Sequence, residues 1–81
     1  MWHLYILKCS DGSFYTGVAV DVARRLKEHN QGKGAKALRG KLPLKLVYQE
    51  KYPNRSRAQK RESEIKHWTH RKKKDLVGQF L

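Results

Sequence analysis

At 81 residues, the chain is expected to form one domain with a thin core, because a chain this short buries only about 60–65% of its unfolded surface. Its net charge of +12, from 19 Lys and Arg against 7 Asp and Glu, costs stability through self-repulsion, which a polyanion would relieve. Nucleic acid is the first such partner, a merely soluble or ribosome-associated basic protein the alternative. The single Cys9 excludes an internal disulfide and points to a reducing compartment. No apolar stretch reaches the roughly 18–20 residues of a membrane span, and Met1-Trp2-His3 lacks the basic start of a signal peptide. A soluble, cytoplasmic protein with no membrane association is expected.

The alternation around Leu4 and Ile6 predicts a strand from about Trp2 to Cys9. Ser10-Asp11-Gly12-Ser13 reads as a turn, since glycine tolerates positive φ and aspartate bonds its own backbone. Phe14 to Val18 completes a hairpin. Asp21 then caps a helix whose buried stripe takes in Val22, Leu26 and Ala23, and which fades near Asn30. Residues 31–36 form a loop with two glycines and no acid, continuing basic through Arg39 and Lys41. It is either a solvated flexible segment or one that tracks phosphates through Lys33, Lys36 and Arg39.

Leu44, Leu46 and Tyr48 alternate with Lys45, Val47 and Gln49, a third strand expected to pair with the hairpin and to end at Pro53. Ser56 with Gln59 fits a capping box, so a helix is expected from there to about Trp68. A basic turn, Arg71 to Lys74 with Arg71, Lys72 and Lys73 as backbone-gripping candidates, leads to a short helix at Asp75-Leu76-Val77. Strands followed by helices predict a small α+β domain.

Five residues carry the chemistry. Arg25 and His29 stand four apart, so a cation and an imidazole share one helical face. Tyr5 and Tyr15 sit on the hairpin beside them. Each has an ordinary alternative: core tyrosines on strands, and a histidine that caps a helix end. Glu62 lies four after Ala58 and three before Ile65, on the inward stripe of its helix. An acid facing a core must be paired or metal-bound, so a salt bridge to Arg25 or to a lysine stands against a metal. No two of the seven acids aim at one site from one element. Any metal is therefore expected to be one hard ion, Mg²⁺ or Mn²⁺, that keeps most of its waters. His67 and His70 lack further ligands for zinc. Cys9 reads as a small core residue, and Trp2 and Trp68 as core staples.

These residues together resemble the GIY-YIG nuclease family, whose pattern is Gly-Ile-Tyr on one strand, Tyr-Ile-Gly on the next, a helical arginine and histidine, and a distant metal-binding glutamate. Here the elements read His3-Leu4-Tyr5, Tyr15-Thr16-Gly17, Arg25, His29 and Glu62, the last followed by Ile65-Lys66. The resemblance runs from about residue 2 to 77 and is greatest to the short stand-alone group called UPF0213, with the departures at His3, Leu4 and Thr16. It implies a three-stranded antiparallel sheet flanked by helices and a metal-dependent endonuclease acting on DNA, in repair or processing. It further implies Tyr5 as general base or orienter of water, with His29 in support or as the alternative base. Tyr15 would bond the water or phosphate, Arg25 would stabilise the transition state, and Glu62 would ligate the metal. A non-catalytic nucleic-acid-binding module on the same scaffold is the alternative. A monomer is expected, with specificity supplied by DNA structure or a protein partner.

Overall fold

The computed structural model describes residues 1–34 and 36–80, apart from the side chains at positions 37, 39 and 80. Three strands, β1 (Trp2–Lys8), β2 (Phe14–Ala19) and β3 (Lys45–Tyr52), form one antiparallel sheet in the order β2-β1-β3. The helices are α1 (Val22–Asn30), α2 (Arg55–Lys66) and α3 (His70–Phe80), with a 3₁₀ helix at Lys36–Lys41. The α+β class and the expected three-stranded sheet are both observed.

Because β1 is central, both of its faces are covered, and its side chains sort by parity. Tyr5, Leu7 and Cys9 meet Val22 of α1, with Leu38 and Leu44, on one face. Leu4 and Ile6 meet Val47, Ile65 of α2 and Val77 of α3 on the other. The two stripes on alternate residues of one strand therefore build a helix layer on each side of the sheet. Among the described residues, no helix is long and apolar enough to cross a membrane.

The local signals mostly act as expected. Gly12 has φ +87 in the hairpin turn, where the Asp11 carboxylate accepts from the Ser13 amide at 3.0 Å. The Asp21 side chain accepts from the Arg24 amide at 3.0 Å and caps α1. Cys9 is buried in the core.

Six expectations are corrected. The α2 cap is Asn54, accepting from the Arg57 amide at 2.9 Å. An Asn directly after Pro53 already offers an amide oxygen at the required offset, so Ser56 lies inside the helix, which ends at Lys66 rather than Trp68. The basic Arg71–Lys74 run is part of α3, eleven residues long, rather than a turn before a short helix. Its amide at Lys72 is capped by the Thr69 hydroxyl at 3.2 Å, and Leu76 and Val77 dock it on the core. The loop expected through Lys41 closes into the 3₁₀ helix because Leu38 is buried, 3% exposed. Ala23 is exposed rather than buried, and Trp2 is half-buried beneath the Arg55 guanidinium, 5.4 Å from its ring centroid, outside both core clusters.

Candidate functional site

Tyr5 pairs with Gly17 across β1 and β2. The missing side chain at Gly17 is what lets the tyrosine ring lie over the edge strand. A Cβ built there would stand 2.6 Å from the Tyr5 hydroxyl and 2.7 Å from Cζ. The phenol thus crosses β2 and places its oxygen 3.2 Å from Nε2 of His29. His29 is 2% exposed and meets the Tyr15 ring edge-on, with ring centroids 5.6 Å apart.

The end of α1 is held so that His29 can sit there. Gly32, at φ +78, ends the helix. Its amide bonds the His29 carbonyl at 3.1 Å and the Lys33 amide bonds the Glu28 carbonyl at 3.0 Å, the double closure of a Schellman motif. Asn30 grips the start of β3: its Oδ1 accepts from the Leu44 amide at 2.7 Å and its Nδ2 donates to the Leu44 carbonyl at 3.2 Å. The backbone at Gly34 runs against the imidazole so closely that a Cβ there would collide with Nδ1 and Cε1. The two glycines of the basic loop therefore have structural duties, one turning the chain and one making room for the ring.

Arg25 projects from the same helical face. Its Nη1 donates to Glu28 Oε2 at 3.1 Å, and the guanidinium also acts on the Tyr5 hydroxyl as hydrogen-bond donor and charge. Arg24, one residue earlier, is exposed as its phase dictates. Glu62 reaches the site from the other layer, because α2 lies along β2 and β1. It is half-buried and its Oε2 is 3.5 Å from Lys66 Nζ. The lysine alternative raised by the sequence is thus present as a contact, although this lysine is half-exposed and one turn away on the same helix.

Electrostatics distinguish the two titratable rings. Burial above all, then Tyr15, pushes the Tyr5 phenol up to about 12; Arg25 opposes this and the Glu62 charge adds to it. Burial, followed by the Arg25 charge, holds His29 below the usual imidazole value, with Glu28 opposing. At neutral pH the site therefore contains a phenol and a neutral imidazole.

Of the five candidate residues, His29 meets the Tyr5 hydroxyl and the Tyr15 ring, Arg25 acts on the same hydroxyl, and the Glu62 charge reaches it from α2. The basic residues do not join them in one group. Lys33 and Lys36 are exposed after α1, while Arg71 and Lys72 are exposed and Lys73 half-buried on α3, which packs on the other face. The Lys72 ammonium lies 4.3 Å from the Trp68 ring centroid. The Arg39 side chain lies outside the described residues.

Sequence reasoning missed a second polar centre. Glu50 on β3 accepts from Tyr52 at 2.6 Å, from Tyr48, and from Arg61 Nε at 3.0 Å and Nη2 at 3.2 Å. Burial pushes the Glu50 carboxyl up, but Arg61 and the two tyrosines together outweigh it and hold the group below its ordinary value. Tyr48 and Tyr52 are each pushed up to about 12 by burial and then by Glu50. The available signal was Tyr-x-Glu-x-Tyr on one strand face. This cluster ties α2, and hence Glu62, to β3.

Residues 1–75 match the GIY-YIG catalytic domain, and the chain belongs to this nuclease family. A UPF0213 protein of Staphylococcus aureus (strain Mu3 / ATCC 700698) is 54% identical over 74 residues, covering 91% of this chain and 90% of that protein. The solution structure of a UPF0213 protein from Bacillus halodurans superposes with a TM-score of 0.61 at 48% identity, over 96% of this chain and 84% of that one. A protein from E. faecalis gives 0.63 at 40% identity, over 96% and 83% respectively.

Proposed function

We propose that the protein is a cytoplasmic, divalent-metal-dependent phosphodiesterase that cleaves DNA in repair or processing. The reading is carried by one observation: the Tyr5 hydroxyl sits 3.2 Å from Nε2 of a buried His29. Family membership supports nucleic acid as the substrate, and the +12 charge supports a phosphate backbone as the partner.

With its pKa at about 12, Tyr5 is a poor base alone at neutral pH. The neutral imidazole supplies the missing basicity. With His29 protonated at Nδ1, Nε2 takes the phenol proton while the phenol oxygen takes a proton from water. The water oxygen then bonds to phosphorus, the bond to the leaving oxygen breaks, and His29 is left as imidazolium. Base duty is shared by Tyr5 and His29, which joins the two roles the sequence left as alternatives. Arg25 presents a planar fork suited to phosphate oxygens and stabilises their developing charge. Tyr15 donates to the water or the phosphate.

Glu62 offers one carboxylate, its side chain 20% exposed, and no group of three ligand-type side chains occurs among the described residues. That donor set fits a single hard ion, Mg²⁺ or Mn²⁺, that keeps most of its waters. Glu62 would hold it, and its charge would polarise the leaving oxygen. The Lys66 contact on Glu62 favours a second reading, a binding module without cleavage.

The test uses nicked, branched, single-stranded and duplex DNA with Mg²⁺, Mn²⁺ or EDTA. Metal-dependent cleavage by the native protein is expected, with Glu62→Gln lowering the rate by about 10²-fold or more and leaving the binding Kd unchanged. Undiminished cleavage by Glu62→Gln would remove Glu62 as the metal ligand. Retention of DNA without cleavage in every metal would establish the binding module.

A further inference from the structure

On the face of the sheet opposite Tyr5, a cleft of about 470 Å³ opens between the hairpin end and α3. Its floor is apolar, with Val47, Val77 and Phe14. The Phe14 ring is stacked by His70 at a centroid distance of 4.9 Å and an interplanar angle of 18°, and His70 is itself exposed. Three lysines form the rim: Lys8 of β1, Lys45 of β3 and Lys74 of α3.

Two observations mark this cleft as built for an anion with a flat apolar part. Lys8 and Lys45 are direct partners in the β1–β3 register, and like charges facing one another across strands are destabilising. Among the described residues, no acid lines the cleft. Asp11, on the neighbouring turn, is taken up by Ser13 and Lys41, and none of the three lysines forms an ion pair among the described residues. The repulsion is left for a ligand to relieve. The second observation is the aromatic pair, whose outer ring offers a stacking platform within reach of those charges.

We propose that this cleft binds an unpaired nucleotide of a nucleic-acid substrate, its base continuing the Phe14–His70 stack and its phosphates meeting Lys8, Lys45 and Lys74. The inference rests on the nucleic-acid reading above and narrows it to substrates with unpaired bases, single-stranded or branched. A cleft of this size lies in the range of small-ligand pockets. A duplex buries its base faces in its own stack, so only an unpaired base can use the platform. Tyr5 and Tyr15 lie on one face of the sheet and the base cleft on the other, the face that α2 and its Glu62 also cover.

Gly78 provides a test that leaves the fold intact. It lines the cleft from α3, and a Cβ there meets nothing within 4 Å. Gly78→Leu therefore fills the cleft while favouring the helix. His70→Ala shortens the stack without touching the floor. Binding is read by fluorescence anisotropy in EDTA, using a labelled oligothymidylate of roughly 12 nucleotides and a blunt duplex of equal length. The native protein should bind the single strand more tightly. Each variant should lose about tenfold in single-strand affinity, as expected for one lost base stack, with duplex affinity unchanged. Native single-strand affinity in Gly78→Leu, or an equal loss for both probes, would overturn the proposal. The cleavage reading fails separately: a protein that never cuts DNA yet shows the Gly78→Leu effect supports the cleft, and one that cuts but shows no effect overturns the cleft alone. Absence of binding to both probes would overturn the cleft together with the nucleic-acid reading.

Discussion

Tyr5 depends on a residue that has no side chain. Gly17→Ala would place a methyl 2.6 Å from the Tyr5 hydroxyl, and the neighbour on its other side is the buried His29, so the phenol has to rotate out. Overpacking of this kind costs about 1–3 kcal/mol, and displacing a reacting group by an ångström costs on the order of 10² in rate. Gly17→Ala should therefore lower kcat by about that factor, with a modest fall in Tm and an unchanged Kd for DNA. A variant with native kcat would show that Tyr5 takes no part. His29 gives a pH prediction. Its folded pKa lies below the unfolded value, so on acidification the unfolded chain takes up the proton first, and stability falls as the pH drops below about 6.5. Tm measured from pH 7.5 down to 5 should fall more in the native protein than in His29→Asn, and cleavage should have an acid limb centred below pH 6.5. At this scale the sequence was informative where spacing alone fixes direction. The four-residue step set Arg25 and His29 on one face, and phase set Glu62 inward and Arg24 outward. The role of Gly34 was not legible, because the ring it accommodates lies against it only after the helix has been closed by Gly32.

The elements were legible in proportion to how local their causes are. Strands announced by alternation, and a helix opened by Asp21, formed within a residue or two of the expected limits. The 3₁₀ helix depends on burying Leu38 against residues far away in sequence, and the full length of α3 depends on docking Leu76 and Val77; no local pattern contains either. Glu50 belongs to the same group, since its partner Arg61 is eleven residues away on another element. This cluster should be the main polar tie between β3 and α2. Glu50→Ala removes the acceptor that Arg61 shares with the Tyr48 and Tyr52 hydroxyls and should cost about 2–3 kcal/mol. Glu64→Ala, which removes the exposed partner of the same arginine, should cost under about 1 kcal/mol. Equal losses in urea unfolding would show that Glu50 gains nothing from its burial.

Over the whole molecule, the +12 charge sets how the protein meets its substrate. Neutralising about five phosphates predicts a log–log slope of affinity against salt near −4 to −5, and a slope near zero would favour a protein partner instead. One site addresses one phosphodiester, so supercoiled plasmid should pass through an open-circle form before the linear one; direct conversion to linear product would indicate two copies acting together. The strand order carries a consequence for assembly. The central strand is β1, and its ladder is complete only when Trp2 finds Tyr52. A two-stranded hairpin alone is marginal in water, and closing so long a loop is slow compared with local pairing. Tyr5 therefore has no stable setting until the chain through β3 has been drawn in. The proposed centre should form together with the fold, in a single cooperative step, with no early fragment able to hold the Tyr5 phenol in place.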